Sequence, residues 1–116
     1  MPLMSPLSGG TWNIAILKAE YTTTGSPFLI PGYRKDSSGI VYLRGSASYV
    51  SGLGTTLLTL PTGFRPTARC RFTVPSLNSA SQATVSIVDM LSEGDLIVAS
   101  GASHRISFDQ IFFATY

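Results

Sequence analysis

Arg69-Cys70-Arg71-Phe72-Thr73-Val74-Pro75 is the cleanest alternation of polar and apolar residues in the chain. Side chains on a strand point to opposite faces with a period of two, so Cys70, Phe72 and Val74 share one side and Arg69, Arg71 and Thr73 the other. Pro75 has no amide hydrogen for a ladder and is expected to end the strand. The same rhythm recurs on either side. Downstream, Ala83, Val85 and Ile87 alternate with Thr84 and Ser86, and Leu96 to Ala99 follows the turn Ser92-Glu93-Gly94-Asp95. Upstream, Trp12, Ile14 and Ile16 alternate with Asn13, Ala15 and Leu17, which predicts a first, largely buried strand. Val41, Leu43, Gly45, Ala47 and Tyr49 form one face of a long strand whose other face carries Tyr42, Arg44, Ser46 and Ser48. Thr55 to Leu60 is a further strand, stopped by Pro61. In the last segment Ile106 and Phe108 keep one phase and Ile111 and Phe113 the other, so a β-bulge is expected near Asp109-Gln110.

Turn residues cut these runs about every 8 to 15 residues, and apolar spacing at i, i+3, i+4 and i+7 is nowhere sustained. The fold class is therefore all-β: an antiparallel β-sandwich or jelly-roll-like barrel with little or no helix. Residues 11–116 are expected to form a single β-sandwich domain, preceded by a flexible N-terminal arm or linker remnant over 1–10, where no Lys or Arg and no long apolar run marks a secretion signal. No apolar stretch approaches the roughly 18 residues of a membrane span, so no membrane insertion is expected.

Charged residues make up 12% of the 116, against about 25% in ordinary domains. Sixteen Ser and 12 Thr supply much of the remaining polarity, which gives a hydroxyl-rich, weakly charged surface. The net charge of +2 is spread thinly. Arg65, Arg69 and Arg71 are the densest basic stretch, read as a solvated strand face. No nucleic-acid partner is expected, because such a site adds more cations and interleaved aromatics. Few inward charges or edge lysines blunt the sheet edges, and an oligomer would cover both those edges and the surplus apolar surface.

Catalytic chemistry finds little purchase. Asp89, Glu93 and Asp95 gather around one turn, where carboxylates solvate the loop and accept backbone amides rather than face each other across a cleft. Cys70 and His104 stand alone among their kinds, which rules out a zinc set and leaves the thiol as a small core residue. Gly52-Leu53-Gly54 precedes no helix and reads as a hairpin turn rather than a phosphate cradle. No catalytic residue, metal or cofactor is assigned, and a non-enzymatic protein is expected.

Taken in order, Trp12, Tyr33-Arg34-Lys35-Asp36, Gly39-Ile-Val-Tyr-Leu-Arg-Gly45, Thr59-Leu-Pro-Thr-Gly-Phe-Arg-Pro66, Phe72-Thr-Val-Pro75 and Ile106 to Phe112 form a series. It resembles the C-terminal knob domain of bacteriophage tail-fibre and minor structural, receptor-binding proteins. The resemblance implies a β-rich tip on a homotrimeric virion fibre or spike that attaches to a host surface, with a bacterial cell-surface polysaccharide as the receptor class. In that family the domain usually ends a longer, shaft-bearing protein. On that resemblance these 116 residues are expected to be either an excised domain or a small separate virion protein. A capsid decoration or head-fibre protein contacting other virion proteins is an alternative, and a free-standing carbohydrate-binding module another. Sugars are held by aromatic platforms with nearby hydrogen-bonding groups, so Tyr21, Tyr49, His104 and Tyr116 are the candidate receptor-binding residues.

Physical chemistry assigns the shared residues structural tasks as well. Gly45 lets a strand bend or admits a close neighbour, and Pro61 and Pro66 bracket a turn in which Gly63 takes positive φ. Arg34, Arg44 and Arg65 are expected to pair with Asp36 and Asp109, or with carbonyl groups at subunit contacts, in preference to the alternative that they contact a receptor.

Overall fold

The computed structural model describes residues 11–52 and 54–116; the expected arm over 1–10 lies outside them. Every element among the described residues is a strand, and the strands form two antiparallel sheets. The smaller sheet has the order β1 (Asn13–Ile14), β3 (Gly32–Lys35), β4 (Ile40–Arg44), β11 (Phe112–Ala114). The larger runs β2 (Tyr21–Thr23), β5 (Ser46–Tyr49), β10 (Arg105–Ser107), β7 (Cys70–Leu77), β8 (Ala83–Met90), β9 (Asp95–Ser100), β6 (Thr56–Thr59). Its outer strands are tied back to each other. Leu17, just ahead of β2, bridges Leu58 of β6, and the Lys18 N–H donates to the Leu57 carbonyl at 2.9 Å. The larger sheet therefore curls into a nearly closed barrel, which removes most of its exposed edge.

Both sheets feed one core. Val41, Leu43 and Phe113 enter from the smaller sheet, and Ala47, Leu57, Val74, Val88, Met90, Leu96 and Ile106 from the larger. Phe108 and Ile111, in the crossing between β10 and β11, are also fully buried.

Two chain segments pass from one sheet to the other at a shared corner. The first is the run read as one long strand, which breaks at Gly45 into β4 and β5. Gly45 has φ +101°, and a Cβ there would lie 2.6 Å from the Pro31 nitrogen, so the position demands glycine twice over. The second is the Ile106–Phe113 run, in which the change of phase is a turn between sheets instead of a bulge: the Ile111 N–H donates to the Phe108 carbonyl. All four apolar side chains thereby stay inside. The crossings are bonded together, with the Gly45 N–H donating to Asp109 Oδ1 and the Phe108 N–H to the Gly45 carbonyl, each at 2.8 Å. Strands that change sheets at bends make the corners of such packings.

Other expectations are corrected. Among the described residues the first strand is a two-residue edge paired only to β3, and Ile14 and, just after it, Ile16 are exposed at 72% and 84% while Ala15 turns inward. Pro75 does not end β7. Pairing with β10 covers only Ser76 and Leu77, so proline sits where that side of the strand has become an edge. In β8 the buried phase is Ser86, Val88 and Met90, opposite to Ala83, Val85 and Ile87. Gly52 to Gly54 is no hairpin, since β5 pairs with β2 and β10 and β6 with β9. Asp89 leaves its turn neighbours for Arg69 and Arg71: Arg71 Nε donates to Oδ1 at 2.8 Å and Arg69 Nε to Oδ2 at 2.7 Å. The basic strip keeps its solvated face, with Arg69 and Arg71 both exposed, and also clamps the fully buried Asp89 carboxylate beneath it.

Candidate functional site: a hydroxyl-lined cleft at the barrel end

The register of β2 against β5 sets Tyr21 opposite Tyr49. Side chains directly opposed on one face meet, and here the rings contact edge to face at 6.1 Å. Each phenol donates to the loop between β5 and β6, Tyr21 to the Gly54 carbonyl at 3.2 Å and Tyr49 to the Gly52 carbonyl at 2.6 Å. That loop closes tightly because Gly52 and Gly54 lack a Cβ, which would meet the Glu20 side chain at 2.9 and 2.7 Å. The far wall comes from the end of β9 and the segment after it. Between the walls lies an open cleft of about 370 Å³, lined by Tyr21, Tyr49, Thr55, Ser100 and Ser103 together with the backbone of the glycines.

No charged side chain lines this cleft. Burial pushes the Tyr21 phenol above its usual pKa, against a hydrogen bond with Ser103, and neighbouring Glu20 and Tyr49 add to the rise. A phenol so placed stays protonated. The lining therefore offers hydroxyls, which both donate and accept, beside an aromatic edge. Such a lining matches the hydrogen-bonding needs of a neutral polyhydroxylated ligand.

Of the sequence candidates, Tyr21 and Tyr49 meet in the cleft, Tyr21 nearly buried and Tyr49 37% exposed. His104 reaches its rim through the backbone, where its carbonyl accepts the Tyr49 N–H at 2.8 Å, but its side chain lines no part of it. Tyr116 lies elsewhere, packed beside Gly39 at the end of the smaller sheet. Thr55, Ser100 and Ser103 are residues the sequence reading missed. Hydroxyl abundance is their only signal, and in this chain it is everywhere.

The chain matches no protein-family model, no curated protein and no solved structure.

The outer face of the smaller sheet carries a second arrangement. Arg44 stacks over Trp12 at 4.1 Å and Arg34 over Tyr42 at 4.4 Å, and Tyr42 leans on Phe112. Asp109 accepts the Gly45 N–H, and Arg34 lies close enough to Asp36 for its charge to act on the carboxyl. Asp36 accepts the Ile40 and Ser38 N–H groups and the Tyr42 hydroxyl, and these bonds, Ile40 foremost, hold its carboxyl below the usual range, with the charge of Arg34 contributing least. Arg65 Nε donates to the Leu60 carbonyl at 2.8 Å, inside the subunit. Cys70 is half-buried and its thiol is pushed up by burial, away from the thiolate that nucleophilic chemistry needs. No cluster of three metal-ligating side chains occurs among the described residues, and no helix there is long and apolar enough to cross a membrane.

Proposed function

We propose that this chain is a non-enzymatic virion structural module, the homotrimeric tip of a bacteriophage fibre or spike, which attaches the particle to polysaccharide on the bacterial surface. The observation that carries this reading is the cleft between Tyr21, Tyr49 and Ser103, an uncharged, hydroxyl-lined recess suited to a sugar. Self-association is supported by the short edge strand β1 and the residues just after it, where Ile14 and Ile16 are exposed among the described residues.

Light scattering and cell binding test it together. The purified chain is expected to scatter as a trimer and to coat bacteria of a susceptible strain, losing them once their wall polysaccharide is stripped. Tyr49→Ala should weaken cell binding about tenfold without unfolding the protein, and Ile16→Glu should shift the trimer toward monomer. A trimer that coats no bacteria in a broad strain panel marks a capsid decoration protein, whereas a monomer that binds glycan marks a free-standing carbohydrate-binding module. Either result overturns the proposal.

A further inference from the structure

Two cations stand apart from the cleft and its neutral lining. Arg44, the last residue of β4, lines a groove of about 380 Å³ with Trp12, Ile14 and Phe28. Arg105, the first residue of β10, lines another of about 230 Å³ with Phe28, Ser46 and Ser107. Phe28, 46% exposed, belongs to both grooves. Each guanidinium lies over a ring, Arg44 on Trp12 at 4.1 Å and Arg105 on Phe28 at 5.9 Å. In each, Nε is buried without a hydrogen-bond partner. The buried Nε cannot reach a ligand, which leaves the fork of terminal nitrogens as the donors available to one.

The chain's own carboxylates do not meet them. Asp36 is spent on Ser38, Ile40 and Tyr42, Asp89 on Arg69 and Arg71, Asp95 on Thr59 and Asp109 on Gly45. Glu20 packs against Gly52 and Gly54, Glu93 sits in the turn before β9, and residues 1–10 contain no Asp or Glu. None of these carboxylates is paired with Arg44 or Arg105 within the subunit, so charge complementarity points to an anion from outside it. A nucleic acid asks for more cations and for open stacking faces, whereas the Trp12 ring is already taken by Arg44 and Arg34.

We infer that the Phe28–Ile30 loop is a ridge for an acidic polysaccharide, with a sugar ring on Phe28 and carboxylate or phosphate groups received by Arg44 in one groove and Arg105 in the other. Guanidinium forks match both anions. The inference deepens the attachment reading by naming the receptor's charge, and it uses a surface separate from the Tyr21–Tyr49 cleft.

The test is titration of the full chain with polygalacturonate, a polyglycerol phosphate, neutral dextran and a single-stranded oligonucleotide, at about 50 mM and about 0.3 M salt. At least one acidic glycopolymer should bind at low salt, weaken about tenfold at high salt, and outcompete dextran and the oligonucleotide. Arg44→Gln and Arg105→Gln should each weaken it about tenfold, whereas Lys18→Gln, which removes the same charge from an exposed position outside both grooves, should not. Phe28→Ala serves if either arginine variant fails to fold, and it too should weaken binding. Absence of acidic-polymer binding, equal affinity for dextran, tighter binding of the oligonucleotide, or equal loss in Lys18→Gln overturns the inference. A wild-type chain that binds the acidic polymer but coats no bacteria sinks the attachment reading and supports this one. Cell coating that ignores both arginine variants sinks this one alone.

Discussion

At the scale of single residues, two positions carry structural constraints that small substitutions expose. Gly45 combines a positive φ with a contact closer than any Cβ tolerates, so Gly45→Ala is expected to cost about 3 kcal/mol, measured as a fall in the urea midpoint. Asp89 is the second. Hydrogen bonding to Arg71, and then to Arg69, holds its carboxyl at about 2, below the usual 3.8. A carboxyl whose pKa is lowered by folding contributes stability that is complete above its unfolded pKa and lost as pH falls through the folded one. Stability should therefore decline from about pH 4 toward pH 2, and Asp89→Asn should flatten that acid limb in urea titrations at stepped pH. Asp89→Asn with an unchanged acid limb would count against the clamp.

Elements show where periodicity informs and where it misleads. The alternation in β7 was legible because its apolar and polar faces differ sharply in composition, and Cys70, Phe72 and Val74 do turn toward the core. In β8 every second residue is apolar in one phase while Val88 and Met90 are apolar in the other, so composition alone does not choose. The register with β7 chooses, pairing Phe72 with Val88 and Cys70 with Met90. The phase has a direct check in thermal or urea unfolding. Met90→Ala should cost about 2–5 kcal/mol as a fully buried deletion, whereas Val85→Thr, on the exposed side, should stay within about 0.5 kcal/mol. Pro75 misled for a related reason: whether proline ends a strand depends on whether a neighbour asks for its amide, which is a property of the sheet rather than of the strand.

For the whole molecule, fold class was readable from turn spacing and alternation, and the bend at Gly45 from a glycine inside an apolar run. The cleft was not readable. Its walls come from β2, β5 and the end of β9, and only the curl of the larger sheet, with Leu17 joined to Leu58, brings them to one end. The tyrosines were found because aromatic residues are scarce enough to single out, whereas Ser100 and Ser103 are lost among their many like. The two unmatched arginines were hidden for the opposite reason: a sequence supplies candidate partners for every charge, and only coordinates tell which carboxylates are already engaged. The shared corner bears on mechanics. Because two backbone crossings, bonded together through Asp109 and Gly45 across 64 positions, join the sheets, a load applied to one sheet passes to the other along covalent chain. Shearing the layers apart would break the hydrogen bonds that tie this corner, so the two sheets carry tension as a single body.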